Sequence, residues 1–255
     1  MAIIKISLVC LVFAVAYVSL TATNSSFSNV EAPVLPPVES PVVLELYTSQ
    51  GCSSCPPADK ILESLSHTEN LYILSCHVTY WDYIGWKDTL GLNVCNTRQR
   101  HFVNMVKGTE SVYTPQLVIN GQKDFVGTAS KKIANAIIAA QETAIDLIAL
   151  EYADNALRAE LPTLQNRSDS YKLRVFLIQK IHTTPIGRGE NRNKTINYVQ
   201  NVKDIYDAGN WNGRATTRMI PLPPHRIREA GADQLIILVK EEKSGTVRAV
   251  GRVDL

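Results

Sequence analysis

Two cysteines three residues apart, in the run Gly51-Cys52-Ser53-Ser54-Cys55-Pro56-Pro57, are the strongest chemical signal in the chain. On the first turn of a helix, two thiols at that spacing can close a small disulfide ring. Unpaired amides and the positive end of the helix dipole there lower the pKa of the first thiol. A thiolate formed near neutral pH attacks another disulfide, and the second cysteine resolves the mixed intermediate. Cys52 is therefore expected to attack and Cys55 to resolve. A metal site would want a second ligand pair at similar spacing, and the sequence has no second C-x-x-C. Neither a metal nor an organic cofactor is expected. Ser53 and Ser54 have no His/Asp constellation to make them nucleophiles and read as spacers.

A second concentration of reactive and aromatic side chains runs from His77 through Tyr80, Trp81, Asp82 and Tyr83 to Trp86. It can wall a groove beside the disulfide, with Trp81 or Tyr80 stacking on substrate. It can equally be a packed aromatic loop with a satisfied histidine. Thr114-Pro115 stands before an apolar run, where a proline at the first position of a strand is the plain reading. Glu45 shares one face of its strand with Val43 and Tyr47, and a half-exposed strand carboxylate is the plain reading there.

The elements that must position these residues are legible from pattern. Residues 42–47 are β-branched and aromatic, which predicts a strand leading into the cysteine motif. Pro56 and Pro57 fit a first helical turn, followed by an apolar stripe of Ala58, Ile61, Leu62 and Leu65. A second strand is predicted over 71–78 and a helix over 97–107. Two strands, 116–119 and 123–126, flank an Asn120-Gly121 hairpin turn, and Ser130 opens a helix with Ile133, Ala136, Ile137 and Ala140 on one face. Beyond about residue 145 the predicted strands are 145–152, 171–181, 233–240 and 247–253, with helical periodicity only around 199–206. The predicted organisation is a signal peptide (1–22), a Pro/Ser-rich tether (23–41), an α/β unit (42–144) and a β-rich, sandwich-like C-terminal domain (145–255).

Composition narrows the function classes. The formal charge of +2 over 255 residues gives no field for neutralising phosphates, so nucleic acid is excluded as a partner. With 45% hydrophobic and 20% charged residues the chain can bury a core. Lys5, an uncharged apolar run over 6–20 and the small residues near Ala22 have the order of a secretory signal, the alternative being an uncleaved anchor. Cleavage there removes Cys10 and leaves Cys52, Cys55, Cys76 and Cys95, an even set whose pairing arithmetic alone does not choose. Periplasmic or secreted localisation is expected, with no membrane contact after cleavage, in a compartment where disulfides persist.

The run from Glu45 to Asp59 around the cysteine pair, together with His77–Asp88, Arg98-Gln99-Arg100 and Tyr113-Thr114-Pro115-Gln116, resembles a family of exported thioredoxin-like proteins of unknown function, mostly bacterial. A weaker echo runs through Gly189-Glu190-Asn191. The resemblance implies an α/β thioredoxin-like domain with an appended C-terminal domain. It makes Pro115 a cis-proline beside the disulfide and Thr114 a backbone docking point for substrate. It also suggests Glu45 as a buried acid relaying a proton to the second cysteine. Thr79 stands where the family usually has a carboxylate. Cys76 and Cys95 fall at positions not usually cysteine, and their joint appearance implies that they pair.

The expected function is an exported thiol–disulfide oxidoreductase acting through Cys52 and Cys55 on a disulfide-containing protein or small-thiol substrate, with an unidentified redox partner. Two rivals remain at this stage: a copper-binding chaperone using Cys52, Cys55 and His77, and a non-catalytic interaction protein with a structural Cys52–Cys55 bond.

Overall fold

The computed structural model describes residues 31–164 and 170–255, so the expected signal peptide over 1–22 and the start of the tether lie outside the described residues. Strand β1 (Val42–Thr48) is buried along its whole length and runs parallel to β2 (Leu71–His77), equally buried. Helix α1 (Pro56–Leu65) connects them and buries Ala58, Ile61, Leu62 and Leu65, the stripe read from sequence. Helix α2 (Asn93–Lys107) begins before the predicted Thr97, and so includes Cys95 in its first turn. Strands β3 (Gln116–Ile119) and β4 (Lys123–Val126) form the expected hairpin, with Asn120 and Gly121 both at positive φ as an Asn-Gly turn requires. Helix α3 (Ser130–Ala140) follows.

The remainder comprises β5 (Asp146–Leu147), β6 (Ala149–Ala153), β7 (Ala156–Leu161), β8 (Tyr171–Ile186), β9 (Lys194–Trp211), β10 (Thr216–Pro221), α4 (Pro224–Ala230), β11 (Gln234–Glu241) and β12 (Val247–Asp254). The helical periodicity at 199–206 belongs to β9. Tyr198, Val199, Asn201 and Val202 are all buried, because this strand is covered on both faces. A bulge near Lys203 further breaks the alternation, and burial spaced in this way imitates a helix.

These strands build one nine-stranded mixed sheet, ordered β4-β3-β1-β2-β9-β8-β11-β12-β5, and a three-stranded sheet, β10-β7-β6. This corrects the expected fold class. The chain is not an α/β thioredoxin-like domain followed by a separate sandwich-like domain, because β2 pairs with β9 and the sheet runs on into the C-terminal strands. One apolar cluster crosses that seam, taking Val43, Leu74 and Phe102 from one side and Phe176, Val202 and Ile236 from the other. The local elements were readable, but the partner of the open β2 edge lay more than a hundred residues away in a strand that looked helical.

Side-chain alternation on the sheet decides what meets what. Leu44 and Leu46 of β1 join the cluster under α1, whereas Val43 and Tyr47 join the cluster under α2. Alternation therefore sends Thr48 and His77 to the α1 side and Glu45 and Cys76 to the α2 side. The Cys76–Cys95 disulfide ties β2 to the first turn of α2, with Cα atoms 5.5 Å apart and both residues fully buried. Among the described residues no helix is long and apolar enough to cross a membrane.

Candidate functional site

After β1 the chain turns sharply to reach α1. The Cys52 amide donates to the Ser49 carbonyl at 3.1 Å, and the Gly51 amide to Ser49 Oγ at 3.1 Å. Cys52 and Cys55 are joined, with Cα atoms 5.4 Å apart. Cys55 is the N-cap of α1, and its carbonyl accepts from the amides of Ala58 and Asp59. The sequence reading put both cysteines on the first turn. In the structure Cys55 caps the helix and Cys52 precedes it. Cys52 is 3% exposed and Cys55 wholly buried, so both are buried, and the Cys52 sulfur lies 3.3 Å from the hydroxyl of the exposed Ser54.

The Thr114–Pro115 bond is cis. A Cβ placed on Gly127 would lie 2.9 Å from Ala58 and 3.1 Å from Pro115, so Pro115, Gly127 and the first turn of α1 converge where no side chain fits. Trp81 Nε1 donates to Thr114 Oγ1 at 2.7 Å. Trp81 also rests on the cysteine loop, since a Cβ on Gly51 would meet its carbonyl at 3.1 Å. Its ring stacks on the exposed Tyr83. Cys52, Cys55, Trp81, Thr114 and Pro115 are thus brought to one place.

Glu45 is not. It lies on the face of β1 away from α1, where its carboxylate bonds Arg98 twice, Lys240 at 3.1 Å and the Tyr47 hydroxyl at 2.7 Å. Burial alone would raise its pKa, but the charges and hydrogen bonds of Arg98 and Lys240 hold it far below the usual carboxylate range. An acid that stays ionised, on the opposite face from Cys55, is an ion-pair anchor between β1, α2 and β11, and not the relay expected of it.

Beneath the motif lies a buried polar group that sequence reasoning did not assign. Asp59 sits one turn beyond Cys55 on α1, with His77 and Thr48 at the adjacent strand ends. His77 Nδ1 bonds Asp88 Oδ2 at 2.8 Å, and the same oxygen accepts the Gln50 amide at 2.8 Å. The His77 ring meets Tyr198 of β9 edge-on at 4.8 Å. Burial would lower the His77 pKa, but Asp88 and Asp59 overcome this and hold it above its ordinary value. Burial pushes the Asp59 carboxyl up to about 7, against the pull of His77. The only sequence signal for Asp59 was its place within the motif.

The C-terminal strands also reach the site. Asn191, in the turn joining β8 to β9, donates through Nδ2 to the carbonyls of Gln50 at 2.9 Å and Cys52 at 2.8 Å. Gln50 Nε2 donates to Thr184 of β8, and Trp86 Nε1 to Gln50 Oε1. Asn191→Ala leaves two loop carbonyls without that donor, and losing such a partner costs about 1–3 kcal/mol. Lower stability in urea and faster reduction of Cys52–Cys55 by dithiothreitol are the expected results. Unchanged values for both would show that the clamp does not hold the loop.

Among the described residues, no group of three or more His, Cys, Asp or Glu is arranged to hold a metal ion. His77 is fully buried, and its Nδ1 is engaged by Asp88.

A family model described as "Protein of unknown function (DUF1223)" matches residues 43–240. The X-ray crystal structure of a protein from Agrobacterium tumefaciens is similar over 85% of this chain and 95% of that one, at 26% identity and a TM-score of 0.71. The structure of HBP35 of Porphyromonas gingivalis aligns over 88% of this chain and 76% of that one, at 12% identity and a TM-score of 0.46. No curated protein matches the sequence.

Proposed function

The chain belongs to DUF1223, a family of proteins of unknown function, so its activity has to come from its own site, and we propose that it is an exported thiol–disulfide oxidoreductase working through Cys52 and Cys55. The observation that carries this reading is the arrangement of the pair. Cys55 caps α1 from a fully buried position, while Cys52 precedes the helix in the loop that Trp81 rests on, with the Trp81–Thr114 contact leading to cis-Pro115. A purely structural bond needs no such asymmetry. The two disulfides also fit an oxidising compartment.

In the reducing direction the Cys52 thiolate attacks one sulfur of a substrate disulfide. The substrate S–S bond breaks, a mixed disulfide forms, and one substrate thiolate leaves. The Cys55 thiolate then attacks Cys52 Sγ, closing Cys52–Cys55 and releasing the second substrate thiolate. Two electrons have passed to the substrate, and a redox partner of the thiol–disulfide class must return them. The reverse sequence oxidises a substrate dithiol. The substrate is a disulfide-bearing protein or a small thiol, docked at Thr114, Pro115 and Trp81.

Equilibration against glutathione buffers tests the reading. Cys52–Cys55 is expected to exchange at a potential above about −300 mV, where labile disulfides lie. Cys55→Ser should accumulate a mixed disulfide on Cys52, and Cys52→Ser should accumulate none. A potential below that value, with no trapped adduct, would return the pair to a structural role.

A further inference from the structure

Among the described residues, five side-chain atoms in one buried region lack a hydrogen-bond partner of normal geometry: both carboxylate oxygens of Asp59, His77 Nε2, Thr48 Oγ1 and the Tyr198 hydroxyl. Thr48 nonetheless lies close enough to Asp59 to pull its pKa down. Buried polar groups are nearly always paired, because an orphan bears its full desolvation cost. Several together, contributed by α1, β1, β2 and β9, require a reason. Their placement supplies one. Residues four apart share a helix face, so Asp59 follows Cys55 on the buried side of α1, and its amide donates to the Cys55 carbonyl at 3.1 Å.

We propose that Asp59 accepts the proton of the Cys55 thiol and returns it, and that His77, fixed by Asp88, positions and electrically supports Asp59 in that task. The Cys55 thiol gives its proton to the Asp59 carboxylate, and the thiolate so formed attacks Cys52 Sγ, closing Cys52–Cys55 as the bond from Cys52 to the substrate sulfur breaks. When the disulfide is reduced and Cys55 leaves as a thiolate, the carboxyl gives the proton back. This rests on the thiol–disulfide reading of the motif. A carboxyl that titrates near 7 is matched to such a transfer at neutral pH. Glu45, permanently ionised on the far face of β1, is not.

Other groups face this region. Asp88 comes from the loop after β2 and acts on Asp59, His77 and Tyr198. Lys203 of β9 lowers His77, and His182 of β8 is coupled to both His77 and Asp88. The Asp88 oxygen that holds His77 also holds the Gln50 amide, so the ring and the cysteine loop are fixed by one carboxylate.

The test uses Asp59→Asn, which keeps shape and removes the acid. In Cys52→Ser protein with the Cys76–Cys95 bridge left closed, alkylation of Cys55 across pH, followed on its own peptide by mass spectrometry, reads its ionisation without any substrate. Adding Asp59→Asn is expected to move that profile to higher pH. In otherwise intact protein, resolution of a mixed disulfide by Cys55 should slow about a hundredfold at pH 7, the scale of a lost general base. Trapping by Cys52 in the Cys55→Ser background should be unchanged. Infrared titration of the native protein supplies a measurement free of any folding defect: a protonated carboxyl band lost as pH rises past neutrality. An unshifted Cys55 profile, or no carboxyl titrating in that range, overturns the proposal. Failure of wild-type protein to exchange with any disulfide overturns the oxidoreductase reading instead, and leaves the alkylation result to decide Asp59.

Discussion

Glu45→Gln is expected to destabilise the protein by about 3 kcal/mol, because it strands two buried cations. Arg98 and Lys240 converge on this one carboxylate, and their side chains are only 15% and 20% exposed. Already, burial together with repulsion from Arg98 lowers Lys240 to about 8. Removing a partner from a buried ion group costs about 3–5 kcal/mol, and the remaining solvent contact places this site at the lower end. Urea denaturation should show a reduced midpoint with the slope unchanged. Removing one cation as well, in Glu45→Gln/Lys240→Met, should recover part of the loss, since contacting residues couple. A loss below about 1 kcal/mol would deny the anchor. The pH dependence follows from the sign of the shift. The folded pKa of Glu45 lies below its unfolded value near 4.5, so the unfolded chain binds more protons in acid. The contribution is fully present above that value and fades as pH falls below it.

Glu45 and Asp59 together show where sequence reading succeeds and fails. Alternation correctly put Glu45 with Val43 and Tyr47, but could not say which face α1 would cover. An aspartate in a helix's first turn is ordinarily a surface residue at the positive end of the dipole, so nothing in the sequence marked Asp59 as a carboxylate only 3% exposed. Short-range signals served well. The proline pair opened α1 and Asn120-Gly121 made its hairpin, whereas the cis Thr114–Pro115 bond was expected only from the family resemblance. Helix α2 started earlier than predicted because Leu92, its N-cap, offers no side-chain signal. Strands β7 and β10 and helix α4 escaped notice, and the β2–β9 pairing was unreadable because it rests on Ser75 opposite Asn201 alone. Asn191 became interpretable only once β8 and β9 had carried their turn to the cysteine loop.

Replacing Cys76 and Cys95 together by alanine should cost about 3 kcal/mol, the loop-closure value for a bridge of this span, here between residues 19 apart. The loss should exceed a chain-entropy effect if the bridge also holds the site. The segment it closes contains His77, Trp81, Trp86 and Asp88, which respectively face Asp59, bond Thr114, bond Gln50 and hold the Gln50 amide. Freeing α2 from β2 would loosen all four at once, so exchange through Cys52 should weaken although neither redox cysteine is touched. Both sulfurs of this second bridge are fully buried, so a reductant should open Cys52–Cys55 first. Mass-spectrometric mapping at graded thiol concentration can follow the two bonds separately. If Cys76–Cys95 opens together with Cys52–Cys55, or before it, the division into a working bond and a supporting bond fails. If it persists after Cys52–Cys55 has opened, the bridge is the fixed frame against which the cysteine loop moves.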